Sequence, residues 1–294
     1  MPIPKDIHRA YAEYYTHVSS PPQIRGIHSA YRDLKNAYIR SRLGYGGAPA
    51  GWALAAAILG RLHPGGAAEL ARDAAYLPAP VRDGHVLEVG CGGGETLITL
   101  RELGWSVAGS EVDPKAVAAA RARGLDVRLG DLAAIGFPAQ SFDAICVIHV
   151  IEHVHDPRKL LIECRRLLRP DGQLLILTPN ADSAARRQFG AAWVSLDPPR
   201  HLHIFEPHSL RRVLEECGLA VTQLTTTARG ARAVWFQGRE IARHGRWDAT
   251  RAPTLLQHAM GIPFQLRMRI SVADGAQVGE ELLAWARVGP TRES

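Results

Sequence analysis

The segment His85–Glu95, HVLEVGCGGGE, constrains this chain more than any other. A short apolar run ends in glycines at 90, 92 and 94, and helix formers follow at once. Strand, glycine turn and helix open a βαβ unit. Glycine in that turn lets the backbone bend sharply and approach a ligand, and the helix start offers free N–H groups.

The rest of the chain continues the alternation. Strands are predicted at 85–90, 106–111, 126–129, 142–149, 173–178, 220–227 and 281–288, with helices at 95–103, 157–169 and 207–217 and another after Asp113. Asp113 is placed to cap that helix, Pro114 fits its first turn, and Gly104, Gly124 and Gly218 sit just past helix ends. Phe142–His149 is apolar almost throughout, as expected of a central strand buried on both faces. The fold class is therefore α/β, a doubly wound, mostly parallel sheet covered by helices.

The turn also narrows the ligand. Counting from Gly90, the dinucleotide pattern needs glycine at 95, where Glu95 stands, and no P-loop lysine follows. Acids instead end the first three strands: Glu88, Glu111 and Asp131. They suit an ammonium group, a ribose diol and an adenine amino group respectively, whereas Glu88 would repel a pyrophosphate. Each acid alone would pass as a cap or turn residue; the set of three points to a ligand.

Two regions stand outside this core. Residues 1–80 are expected to form an N-terminal helical extension and 81–294 the main domain, interrupted by a helical insertion at about 229–280. Six of seven tyrosines fall within the first 45 positions, with Tyr11, Tyr14 and Tyr15 on one helical face and Tyr31 and Tyr38 on another. The stretch 51–60 reads as a buried helix. The insertion carries Trp235, Phe236, Trp247, Met260, Phe264 and Met268. Each region has two readings, a lid over a pocket or plain amphipathic packing. Pro253–Ile270 is both basic and apolar, the composition of a membrane-facing or greasy-substrate segment.

Composition excludes several classes. No stretch reaches the ~20 apolar residues of a membrane span, and MPIPKDIHRAY lacks a secretory pattern. Cys91, Cys146, Cys164 and Cys217 show no paired spacing, so free thiols in a cytoplasmic protein are expected. The net charge of +6 admits an anionic partner such as RNA. The arginines form no run, however, and a solvated surface accounts for them.

These motifs resemble those of the class I S-adenosylmethionine (SAM)-dependent methyltransferases, bacterial members among them: VLEVGCGGGETL, VAGSEVDPKAV, VRLGDL, FDAICVIHVIEHVHDP and LLRPDGQLLILTPN. FGAAWVSLDPPRHLHIFEPHSL and GEELLAWARV are similar to the branch holding ubiquinone-biosynthesis O-methyltransferases and bacterial secondary-metabolite enzymes. The resemblance covers about 85–288. It implies a seven-stranded Rossmann-like sheet and SAM (product S-adenosylhomocysteine, SAH) held by Glu88, Gly90, Gly92, Glu111, Val112, Asp131, Leu132 and His149, to which the glycine turn adds Gly94. The resemblance does not fix the acceptor; transfer to a small-molecule hydroxyl is the reaction expected from the histidines that follow. The zinc ribbon of some bacterial members is absent from this sequence.

Six of 13 histidines crowd into His149, His153, His155 and His201, His203, His208. The first group begins where the resemblance puts the reacting methyl group, and neutral histidine suits a base near pH 7. His149 and His153 are the first catalytic candidates, His201 and His203 the next. A rival reading makes His149, Glu152, His153 and His203 a divalent-metal site. It is similar to the set in small-RNA 3′-end 2′-O-methyltransferases, which also makes RNA a rival acceptor. A zinc-protease reading of HVIEH fails because the motif follows a strand and is not mid-helix. A non-catalytic SAM-binding protein is the third reading.

Overall fold

The computed structural model describes residues 34, 36–41, 43–46, 74–80, 83–248 and 254–289. The helical faces read at Tyr11, Tyr14 and Tyr15, the residue Tyr31, and the helix read at 51–60 lie outside the described residues. Seven strands make one sheet in the order β3-β2-β1-β4-β5-β7-β6, as expected for the α/β class. The chain forms two compact units. One runs up to Cys146 and takes Leu167–Gly172; the other holds Val147–Arg166 and the chain from Gln173.

In the first unit β1 (His85–Val89) leads to α1 (Glu95–Glu102), β2 (Ser106–Glu111), α2 (Pro114–Ala122), β3 (Asp126–Leu129), α3 (Leu132–Ile135) and most of β4 (Phe142–Ile148). β1 pairs in parallel with β2, His85 opposite Ser106, and β2 pairs in parallel with β3. Asp113 caps α2 through its bond from the Lys115 amide, and Pro114 is the first helical residue, both as read from sequence. The core gathers Cys91, Leu97, Val117, Ala120, Leu125 and Val127. β1 and β4 are neighbours though numbered apart and mark the place where strand order reverses, the usual ligand edge of an open α/β sheet.

The described part of the N-terminal extension packs on this unit. Trp105 donates its indole N–H to the Tyr45 hydroxyl at 2.8 Å, and Tyr45 donates in turn to the Leu77 carbonyl at 3.1 Å. Burial pushes the Tyr45 hydroxyl up to about 12, so it stays a donor. For Tyr45, then, the packing reading describes the side chain.

The second unit contains α4 (Pro157–Leu167), most of β5 (Leu168–Pro179), α5 (Ala184–Phe189), α6 (Pro207–Glu216), β6 (Leu219–Thr227), α7 (Ala231–His244), α8 (Leu255–Ala273) and β7 (Glu281–Val288). β7 runs antiparallel to both β5 and β6, which makes the sheet mixed. β5 begins at Leu168, five residues before the strand read from sequence, because it follows α4 without a loop. The insertion is the helical pair α7 and α8. Phe264 and Met268 pack with Trp193, Ala185 and Ala231, so part of its apolar set is core.

Candidate functional site

In the first unit the glycine turn is shaped by left-handed backbone. Gly90, Gly92 and Gly94 have φ of 64°, 52° and 82°, a region that costs any residue with a Cβ roughly 1–2 kcal/mol. Packing divides them. A Cβ on Gly94 would stand 2.2 Å from Leu125 Cδ1, whereas one on Gly92 would meet nothing within 4 Å. Gly94 is thus required by the core behind it, and Gly92 opens onto empty space.

Glu111, at the end of β2, accepts the Gly92 amide at 2.8 Å on Oε2. Its Oε1 accepts the Val112 and Asp113 amides at 2.7 and 2.9 Å. Three of about four carboxylate lone-pair sites are filled, leaving about one for an outside donor. Glu88 is buried at the end of β1. Asp131 is exposed and caps α3, accepting the Ala133 amide at 3.0 Å on one oxygen. Val112 is 70% exposed beside this edge, while Leu132 is buried in the core.

In the second unit His149, the residue after β4, takes φ 53°, a left-handed backbone uncommon outside glycine. Its amide donates to the Leu177 carbonyl at 2.8 Å. Its Nδ1 lies 3.2 Å from Glu152 Oε1 and its Nε2 3.0 Å from Glu281 Oε1. Thr178 donates to the other oxygen of Glu152 at 2.9 Å, and Thr227 to that of Glu281 at 3.1 Å. Burial alone would lower the His149 pKa, but the bonds to Glu152 and Glu281 outweigh it and hold the pKa up at about 9. Burial would likewise raise Glu152, and the His149 partner keeps it low. His149 is therefore an imidazolium at neutral pH with both N–H groups donated. In that state the ring has no lone pair to accept a proton and instead positions its two carboxylate neighbours.

His153 bonds the Arg200 carbonyl through Nδ1 at 3.2 Å, and burial lowers its pKa despite Glu152, so it is neutral near pH 7. His201 bonds the Ser195 carbonyl through Nδ1 at 2.7 Å, and the two rings meet edge to face with centroids 4.6 Å apart. Glu152, His153 and His201 can bring ligand atoms within 4.8 Å of one another. The four-residue metal set read from sequence is thus redrawn: His149 is engaged by two carboxylates, His203 packs near Phe205, and His201 takes the third place. His208 is on the surface with Glu206. Sequence reasoning missed Glu281 and Thr178. Glu281 is 132 residues from His149, and only the antiparallel β5–β7 pairing, invisible to local pattern, brings it back.

Comparison with known proteins gives the same picture. Residues 63–224 match the family described as methyltransferase domain. The ubiquinone biosynthesis O-methyltransferase of Cereibacter sphaeroides is 31% identical over 165 residues, 52% of this chain and 66% of that one. A Mycolicibacterium smegmatis protein named as an S-adenosylmethionine-dependent methyltransferase is 33% identical over 162 residues, 54% of this chain and 60% of that one. The chain thus spans just under two thirds of the length of these relatives. Among solved structures, a chain of the complex between the Haloferax volcanii Trm112 methyltransferase activator and a methyltransferase has a TM-score of 0.52. The identity is 18%, over 76% of this chain and 89% of that chain, a likeness of fold. Glycine turn, acidic strand end and family match agree, and the chain belongs to the methyltransferase-domain family, in its class I SAM-dependent form.

Proposed function

We propose that this protein transfers a methyl group from SAM to a hydroxyl oxygen of a small-molecule acceptor. The observation that carries the reading is the Glu111–Gly92 bond: it fixes a glycine turn that opens onto space and leaves a carboxylate site beside it. Glu88, Gly90, Gly92, Gly94, Glu111, Val112 and Asp131 would hold SAM, which supplies an electrophilic methyl group when bound. The O-methyltransferase name of the Cereibacter relative supports oxygen as the acceptor atom.

His153 is the base in this reading, because burial keeps it neutral and a neutral imidazole can take the hydroxyl proton. His149 is a positioning residue, an imidazolium that locks Glu152 and Glu281 in place. Alignment of donor and acceptor would supply much of the remaining acceleration. The four buried, unpaired cysteines favour a reducing, cytoplasmic setting.

The test is incubation with methyl-labelled SAM and a panel of phenols, alcohols, amines and short RNAs. Label recovered in a methyl ether supports the reading. Label confined to amines or RNA, or SAM bound with no turnover on any acceptor, overturns it.

A further inference from the structure

α8 is apolar on both sides. At ~100° per residue, Gly261, Phe264 and Met268 share one face, and all three are buried. Leu255, Ile262, Leu266 and Ile270 cluster within about 80° on the opposite face, joined at its margin by Leu256 and Met260. All six are between 41% and 89% exposed. From Leu255 to Ile270 that stripe is roughly 22 Å long. Single exposed apolar side chains are ordinary; a continuous stripe of this size marks an interaction surface.

Charge identifies the partner. Residues 229–274 hold eight arginines and three acidic residues, a net +5 in a chain whose whole net charge is +6. Arg239 on α7 reaches Met260 Sδ at 4.0 Å, and Arg243, exposed, lies one turn further along the same helix. Arg267, exposed, follows Leu266 directly. A second copy seated on this stripe would set arginine against arginine. RNA would meet the charge, but aliphatic side chains give bases nothing to stack on. A bilayer with anionic headgroups satisfies both features, with hydrocarbon for the stripe and phosphate for the arginines.

We infer that the outer face of α8, flanked by arginines of α7 and α8, docks on anionic lipid membranes. No helix among the described residues is long and apolar enough to cross a membrane, so α8 would lie in the plane of the headgroups. The inference rests on this surface alone and is independent of the methyl-transfer reading.

The test is flotation of the full chain with vesicles of phosphatidylcholine and phosphatidylglycerol in equal parts, beside vesicles of phosphatidylcholine alone. The protein is expected to float with the anionic vesicles and at least tenfold less with the neutral ones. Leu266→Glu/Ile270→Glu is expected to lose binding tenfold or more, with Tm and SAH affinity unchanged. Should that variant misfold, Arg243→Glu/Arg246→Glu, at two exposed positions on and just past α7, decides by the same tenfold criterion. The inference is overturned by absence of binding to anionic vesicles, by equal binding to both lipids, or by undiminished binding of a folded variant. A dimer broken by the apolar substitutions, or RNA binding without vesicle binding, overturns it equally.

Discussion

The Gly92 amide donates to Glu111 Oε2 at 2.8 Å, so the turn after β1 and the acidic end of β2 form one piece of structure. Hydrogen bonds to a charged acceptor contribute roughly 1.5–3 kcal/mol. The same carboxylate gathers the first two amides after β2. A residue read from sequence as a ligand contact therefore also builds the loop that the ligand would meet.

Gly92→Ala and Gly94→Ala separate the two demands on the turn. Gly94→Ala meets both left-handed backbone and Leu125, and it is expected to lower unfolding free energy by roughly 2–5 kcal/mol in urea titration. Gly92→Ala meets only the backbone demand, roughly 1–2 kcal/mol, yet it puts a methyl group into the open space. SAH affinity in Gly92→Ala should fall far more than its stability does. Equal stability losses in the two variants would contradict this division.

His149 gives stability a pH dependence. Its pKa is about 9 in the fold against 6.5 for an ordinary histidine. Its contribution is therefore complete below about 6.5 and is lost as pH rises through 9. The ring is a third exposed, so solvent screening trims the size of the effect but not its sign. Urea midpoints measured from pH 6 to pH 10 should decline over this window in the wild type and decline less in His149→Gln.

Glu280 acts in a lower window. It is 3% exposed, and burial raises its carboxyl to about 7, despite the Ala185 amide bonded to it at 3.3 Å. A carboxyl raised in the fold binds protons there more tightly than in the unfolded chain, so stability falls as pH rises from 4.5 towards 7. The shift corresponds to on the order of 3 kcal/mol. Glu280→Gln keeps the group neutral and should flatten the urea midpoint between pH 5 and pH 7, leaving the His149 decline intact.

If His153 is the base, kcat should rise with pH along a limb whose midpoint lies below 6.5, because burial lowers its pKa. His153→Asn should cost about 10²–10⁴ in kcat and abolish that limb, with SAH affinity retained. A limb midpoint near 9 would point back to His149.

The strand and helix plan was legible because local signals agree with the fold. Gly104, Gly124 and Gly218 end helices with positive φ, Asp113 caps α2, and the apolar run 142–149 is the buried β4 with one residue trimmed. The site was legible only in part. Glu111 stood out by position, but its three backbone donors depend on how the loop folds. His149 looked like a base because histidine titrates near 7; the two carboxylates that change its character come from the following loop and from β7. α5 escaped notice because its six residues carry too little periodicity to register.

Titration calorimetry with SAH, on wild type and Glu111→Ala side by side, tests the central claim most directly. The account predicts micromolar binding by the wild type and at least tenfold weaker binding by a still-folded Glu111→Ala, about 1.4 kcal/mol or more. Absence of binding by the wild type, or equal binding by both folded proteins, would contradict it.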